Sequence, residues 1–220
     1  MNKIKVKLMG EENFFVQEAY KVLRTNLQFC GPNIQVIAVT SCHENEGKTT
    51  VSLQLAYSLA ELGHRVLLID SDLRKSVLAG RNTNAKHVIG LSEYLTGLAN
   101  FEDIVCGTQY QALDLIFAGT YPPNPVELLS GQRFSALLTV IRNYYRYVII
   151  DTPPLGRVID AAVIAPNCDG TILVVGDSTR RQHAQTVVEQ LKKSESKILG
   201  VVRNNTKKNH GDGYSYRYQN

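Results

Sequence analysis

Residues Gly47-Lys48-Thr49-Thr50 set a side chain of minimal size, an ammonium group and two hydroxyls in consecutive positions. An apolar run, Ile34 to Thr40, precedes them, and a helical pattern, Thr49 to Leu62, follows. A strand, a short loop and a helix start form the context in which backbone N–H groups and a lysine cradle phosphate oxygens. In that context Gly47 lets the backbone approach closely, Lys48 supplies charge to the β and γ phosphates, and Thr49 offers a hydroxyl to Mg²⁺. Glu46 and Thr50 complete the candidate nucleotide-binding set. The loop departs from the usual pattern at two places. Cys42 stands where a first Gly is common, and Asn45 where many such loops have a second. The first loss is tolerable if Cys42 adopts the local backbone geometry.

A magnesium site needs further oxygen ligands. The stretch "RVLLIDSDLRK" puts Asp70 and Asp72 at the end of an apolar run, and "YVIIDTPP" puts Asp151 at the end of another. Ligands of open α/β sheets bind at such strand ends. Thr49 and Asp72 are the candidate direct ligands, with Asp151 acting through water, because Mg²⁺ keeps several waters. Arg74 is placed to steady phosphate or carboxylates, although a surface arginine at a strand end is an equal reading.

The elements that must position these residues are visible as short runs rich in Val and Ile: Ile34 to Thr40, Arg65 to Asp70, Leu113 to Ala118, Tyr147 to Asp151, Thr171 to Gly176 and Ile198 to Arg203. Most are apolar on successive residues, as strands covered on both faces are. Helical patterns lie between them, at Thr49 to Leu62, Pro125 to Arg142 and Thr179 to Lys193. The alternation predicts a doubly wound α/β domain with a mostly parallel sheet flanked by helices. One domain is expected over residues 1–203, with an amphipathic helix over about 13–29 ahead of the first strand. The end, 204–220, has no apolar periodicity and is expected to be a flexible tail. It carries Tyr214, Tyr216 and Tyr218, an excess for so polar a segment.

Composition narrows the class. Hydrophobic residues make up 44% of 220, charged residues 20%, and the net charge is +4. That balance is ordinary for a globular protein and too mild to imply nucleic acid. Cys30, Cys42, Cys106 and Cys168 form no Cys-x-x-Cys pair, so neither a zinc site nor a redox pair is signalled. No apolar stretch approaches the ~20 residues needed to span a bilayer. A cytoplasmic protein with reduced thiols is expected, and any membrane link must come from another chain.

Taken together, the motifs resemble a known family. A phosphate loop, then the pattern hhhhDxDxR at Val66 to Arg74, then hhhDTPP at Val148 to Pro154, is similar to the bacterial tyrosine kinases, which share a P-loop fold with the partitioning and cell-division-site ATPases. "EAYKVLRTNL" (18–27), "PPNPVELLSGQRFSALL" (122–138), "LGVVRNN" (199–205) and "GYSYRYQN" (213–220) extend the resemblance over nearly the whole chain. His43 occupies the position of the extra Lys of the partitioning ATPases, which favours the kinase branch. The resemblance implies ATP and Mg²⁺ as cofactors. It implies phosphate transfer to Tyr214, Tyr216 and Tyr218 and control of capsular or exopolysaccharide synthesis. It gives Lys48, Asp70, Asp72 and Arg74 catalytic roles, with Asp70 receiving or orienting the tyrosine proton, and sets Asn204 near the base. Glu18, Lys21 and Arg24 match the oligomerisation motif of the family except that Lys21 replaces Arg, and Lys lacks the bidentate fork. The implied partners are other copies in a ring and a membrane adaptor of the polysaccharide chain-length-determinant type, which would recruit the chain to the inner face of the membrane. Two other classes compete: a regulatory ATPase switch without protein phosphorylation, which has no need of the tyrosine tail, and an interaction module with a decayed site, which the intact Lys48, Thr49, Asp70, Asp72 and Asp151 oppose.

Overall fold

The computed structural model describes residues 3–8, 13–83 and 88–205. Its frame is an eight-stranded sheet in the order β1-β4-β5-β3-β6-β2-β7-β8. The strands are β1 (Lys3–Ile4), β2 (Val36–Ser41), β3 (Val66–Asp70), β4 (Val105–Thr108), β5 (Leu113–Ile116), β6 (Tyr147–Asp151), β7 (Gly170–Gly176) and β8 (Ile198–Asn204). All neighbours run parallel except β4 and β5. Every residue of β2, β3 and β6 is buried, which explains their unbroken apolar runs.

Two apolar layers cover the sheet. On one face Val51, Leu55 and Leu59 of α2 (Lys48–Ala60) pack against Ile37, Leu68 and Ile149. Helix α1 (Phe14–Phe29) lies outside α2 and contributes Leu23 and Leu27. Asn13 caps α1 through its side chain, which accepts from the N–H groups of Phe15 and Val16. Helix α3 (Leu78–Asn82) adds Leu78 to the α2 layer. The other face is covered by later helices: α4 (Leu91–Thr96), α5 (Phe101–Ile104), α6 (Pro125–Ser130), α7 (Gln132–Ile141) and α8 (Asp160–Ile164) pack through Leu91, Ile104, Leu129, Phe134 and Ile164. Helix α9 (Arg181–Lys193) packs Val187 and Leu191 against Leu173.

The six strands and the N-terminal helix expected from sequence are present, with shifted ends. Three features differ. Strands β1 and β4 have two and four residues and were invisible as periodic runs. The single helix expected over Pro125 to Arg142 is two, because Gly131 is extended (φ −74°, ψ 159°) and ends α6 where α7 begins. Asn204, expected to open the tail, is the last residue of β8.

Register makes the site. Asp70 is paired with Asp151 across β3 and β6, and Asp151 with Val39 across β6 and β2. The loop after β2 therefore leaves the sheet beside both carboxylates, at the C-terminal edge where doubly wound sheets bind ligands. At the opposite edge Asp169 joins β2 to the α7 end. It accepts from the N–H groups of Gln35 (2.9 Å) and Val36 (2.7 Å) and pairs in bidentate fashion with Arg142 (2.8 and 2.9 Å). Burial opposes its charge, but the Arg142 bonds and the two N–H groups outweigh this and hold its carboxyl below the ordinary value. A depressed folded value stabilises the protein above the unfolded value and is lost as pH falls. Asp169→Asn is expected to cost about 2 kcal/mol in urea unfolding at pH 7, with the deficit shrinking below about pH 4. A constant deficit down to pH 2 would remove the charge from this account.

Candidate active site

Two left-handed residues shape the loop. Asn45 has φ 62° and Gly47 φ 86°. Asn tolerates this region better than other residues with a side chain, so Asn45 does the work of a glycine there. Cys42 does not have a positive φ. With no positive φ to meet, the position does not require glycine, and its side chain is fully buried with Leu155, Ala161 and Leu173. The glycine that the close approach does require is Gly156, where a Cβ would lie 2.1 Å from the Cys42 carbonyl oxygen.

Glu46 braces the loop from behind. Its carboxylate accepts from the His43 N–H (2.8 Å) and from the Thr179 hydroxyl, so it faces the β7–α9 turn and not the cleft. Asn204 holds the other side: its Nδ2 donates to the Glu46 carbonyl (3.0 Å). A Cβ on Gly47 would meet that same Nδ2 at 2.0 Å. The Asn204 side chain thus lies on the loop itself.

Lys48 opens α2, next to the carboxylates. Its Nζ is 3.3 Å from Asp72 Oδ2, and both side chains are largely buried. Burial alone would lower its affinity for the proton; Asp151, Asp72 and Asp70 together outweigh burial and hold its value above the ordinary one. Thr49 Oγ1 donates to Asp151 Oδ2 (2.6 Å) and Ser52 Oγ to Asp151 Oδ1 (3.2 Å). The Ser76 hydroxyl donates to Asp70 Oδ2, and the Asp72 N–H to Asp70 Oδ1 (3.1 Å). Burial first, then the Asp151 charge, pushes Asp70 up to about 7 against those two hydrogen bonds. Asp151 is raised as well, by burial, with Lys48, Thr49 and Ser52 opposing.

The turn after β3 is fixed by its own carboxylate. Asp72 Oδ1 accepts from the N–H groups of Arg74 (3.3 Å) and Lys75 (2.9 Å). Arg74 then reaches sideways, pairing in bidentate fashion with the buried Asp160 at 2.7 and 3.0 Å. The turn after β6 is pinned to β2: Thr152 Oγ1 donates to the Val39 carbonyl and Thr40 Oγ1 to the Pro153 carbonyl, both 2.9 Å.

These parts enclose a cleft of about 550 Å³, lined by Asn45, Gly47, Lys48, Thr49, Thr50 and Asp72 among others. The structure therefore brings Lys48, Thr49, Thr50, Asp70, Asp72 and Asp151 together, while Arg74 and the Glu46 carboxylate are engaged elsewhere. Sequence reasoning missed Ser52, Ser76 and Asp160. Ser52 was findable, since Thr49 and Ser52 are three apart on one helix face. Asp160 carries no local signal. Among the expected self-association residues, Glu18 and Lys21 pair with each other on the surface (2.7 Å). Arg24 turns inward, donating to the Ser58 carbonyl at 2.6 Å. Tyr214, Tyr216 and Tyr218 lie outside the described residues.

The donor set facing the cleft is oxygen: a hydroxyl and carboxylates. Among the described residues no three His, Cys, Asp or Glu side chains form a metal cage. The oxygen donors fit Mg²⁺, which takes one or two carboxylates and fills the rest with water and phosphate.

The AAA domain pattern matches residues 34–206 of this chain. The tyrosine-protein kinase CpsD of Streptococcus agalactiae is 42% identical over 189 residues, covering 86% of this chain and 82% of the relative. The chain belongs to the bacterial tyrosine-kinase family. Among solved structures, the chimerical protein CapA2B2 superposes with a TM-score of 0.86 at 27% identity, covering 94% of this chain and 95% of its own. The kinase domain of the Escherichia coli tyrosine kinase ETK gives 0.83 at 32%, covering 92% and 80%. The septum site-determining protein MinD of Pyrococcus horikoshii, complexed with Mg-ADP, gives 0.63 at 25%, covering 76% and 69%. The bacterial tyrosine kinases thus share their mostly parallel P-loop sheet with nucleotide-binding ATPases, and this chain has that nucleotide-binding fold.

The loop geometry yields a test. Gly47→Ala is expected to weaken ATP binding more than tenfold, because the added Cβ meets both the positive φ and Asn204. Asn45→Gly is expected to bind as the parent does. Equal affinity for Gly47→Ala and parent, measured by calorimetry, would contradict the loop account.

Proposed function

We propose that this chain is a protein-tyrosine kinase that moves the γ-phosphate of ATP to tyrosine, Tyr214, Tyr216 and Tyr218 of its own end included. One observation carries the reading. The buried Asp70–Asp151 pair sits beside Lys48 and Thr49 at the cleft, in a chain whose relatives over most of its length are named tyrosine-protein kinases.

Each residue then has a role. Lys48 and the N–H groups at the start of α2 hold the β and γ phosphates. Gly47 and Thr50 shape the cleft around them, while Glu46 and Asn204 keep the loop in position. Thr49 and Asp72 would hold Mg²⁺, with Asp151 acting through water. Mg²⁺, when bound, neutralises charge on the phosphates. A free tyrosine has a pKa of ~10, so its hydroxyl needs a base. Asp70 takes that role by the family likeness; burial and the Asp151 charge hold its carboxyl above the ordinary value, with Ser76 and the Asp72 N–H each bonded to one of its oxygens. Arg74, through Asp160, keeps the turn that bears Asp72 from moving. The domain is taken to span residues 1–203, with the end beyond it supplying the acceptors. Glu18 and Lys21, on the surface of α1, serve contact with other copies in a ring. Arg24 serves it indirectly, by fixing α1 on α2. The class of the relatives supports a role in capsular or exopolysaccharide synthesis and recruitment to the membrane by a separate adaptor. No described helix is long and apolar enough to cross a membrane.

The likeness to MinD favours a second reading, a nucleotide-driven switch without phosphate transfer to protein. Variants separate the two. Lys48→Met is expected to abolish ATP binding and autophosphorylation together. Asp70→Asn is expected to keep ATP affinity and lose about 100-fold in phosphotyrosine formation, the scale of one general base. Asp72→Asn is expected to lose most transfer with the fold intact. Near-parental phosphotyrosine yield from both aspartate variants would sink the assignment.

A further inference from the structure

A second cavity shares a wall with the nucleotide cleft. The wall is the turn after Leu73: Lys75 and Val77 line the cleft, while Ser76 between them lines a groove of about 430 Å³. The rest of the groove comes from Ala79 and Gly80 of α3, from Val88 and Ile89, from Glu93, and from residues 117–121, which leave β5. Three contacts give it shape. Glu93 ties the start of α4 to the strand exit: its Oε2 accepts from the Gly90 N–H (2.8 Å), and its Oε1 from the Thr120 N–H (3.0 Å) and hydroxyl (2.7 Å). Gly119 makes room for that carboxylate, since its φ is 83° and a Cβ there would lie 2.1 Å from Glu93 Oε2. Tyr121, 60% exposed, donates from the strand exit to the Ser76 carbonyl (3.3 Å). The Ser76 hydroxyl in turn donates to Asp70 Oδ2, so the groove meets the cleft at the residue that touches Asp70.

Phosphate transfer needs a place for the acceptor as well as for the nucleotide, because the accepting hydroxyl must be held beside the γ-phosphate. Among the described residues none of the phosphate loop lines the groove, so the two can be bound at once. Val88, Ile89 and Phe117 give an aromatic ring an apolar wall, and the exposed Tyr121 ring gives it a partner to stack on. The chain itself carries the occupant. Tyr214 follows Asn204, the last residue of β8, by ten residues, at most about 36 Å of chain. From β8 to β5 there are five strand spacings, about 24 Å across the sheet. The end of the same copy would use much of its reach and cross the ends of β2 and β6, where the nucleotide lies. The end of a second copy meets no such limit. We propose that this groove is the acceptor site and that it holds the tyrosines at 214, 216 and 218 of a second copy. The inference rests on the kinase reading. Transfer there joins the phenolic oxygen to the γ-phosphorus, breaks the bond from that phosphorus to the bridging oxygen, frees ADP, and leaves the phenolic proton with Asp70.

The test mixes two full-length chains with γ-labelled Mg-ATP. The donor chain carries Tyr214→Ala, Tyr216→Ala and Tyr218→Ala; the acceptor chain carries Lys48→Met and keeps its tyrosines. Label on the acceptor is followed against acceptor concentration. Two changes on opposite walls block the groove: Ile89→Arg, at a half-exposed site, and Gly80→Leu, where an added Cβ meets nothing within 4 Å. On the donor, each is expected to raise the acceptor concentration for half-maximal rate at least tenfold, with Mg-ATP affinity and melting temperature as in the parent donor. On the acceptor, the same changes should leave the rate unaltered. Val140→Arg on the donor, an exposed apolar site on α7, should match the parent donor. Donor variants within twofold of the parent would overturn the groove and leave the kinase reading standing. Equal losses from donor and acceptor variants would overturn it too, reducing the effect to contact between copies. An unlabelled acceptor, with the unaltered chain labelling its own tyrosines at a rate independent of concentration, would overturn the second copy as the source. No tyrosine label in any mixture, with ATP bound, would instead remove the kinase reading and the groove's role with it.

Discussion

Asp70 and Asp151 end neighbouring parallel strands in register, and both are buried. Carboxylates so placed repel one another and lose their hydration. The rest of the cleft answers that cost. Lys48 supplies the nearby positive charge, Thr49 and Ser52 donate to Asp151, and Ser76 and a backbone N–H donate to Asp70. Even so, both carboxyls hold their protons more tightly than usual. An arrangement that keeps unfavourable charge at a strand end is suited to a ligand that brings cations with it, and Mg-ATP is such a ligand.

The surrounding structure makes that cost bearable by being rigid. The Asp70 strand is buried along its length, and so are β6 beside it and β2 beyond. The turns that leave these strands are tied laterally, Arg74 to Asp160 and Thr40 to Pro153. The loop between β2 and α2 is held from both sides, by Glu46 toward β7 and Asn204 from β8. Long-range contacts between elements far apart in sequence thus hold a loop of few residues in a geometry that needs two left-handed positions.

Much of this was legible in the sequence. Buried parallel strands have unbroken apolar runs, which made β2, β3 and β6 plain, and strand ends then predicted where Asp70, Asp72 and Asp151 would meet Lys48 and Thr49. What escaped depended on side-chain direction or on topology. Glu46 is in the loop, yet its carboxylate points to Thr179, and only the position of β7 decides that. Arg74 and Asp160 are far apart in sequence and meet through a helix with no strong signature. Strands β1 and β4 are too short for any periodicity, so they had no trace in pattern. The question raised by Cys42 and Asn45 needed backbone angles: one takes no positive φ, and the other is a residue that bears it well.

The central claim is that this strand-end site spends ATP on tyrosine and not on a conformational switch alone. The most direct measurement is incubation of the full chain with Mg-ATP labelled at the γ-phosphate, followed by mapping of the label on the protein. The account predicts label on tyrosine, concentrated at Tyr214, Tyr216 and Tyr218. ATP turnover to ADP and inorganic phosphate, with adaptor present and no label on any tyrosine, would contradict it.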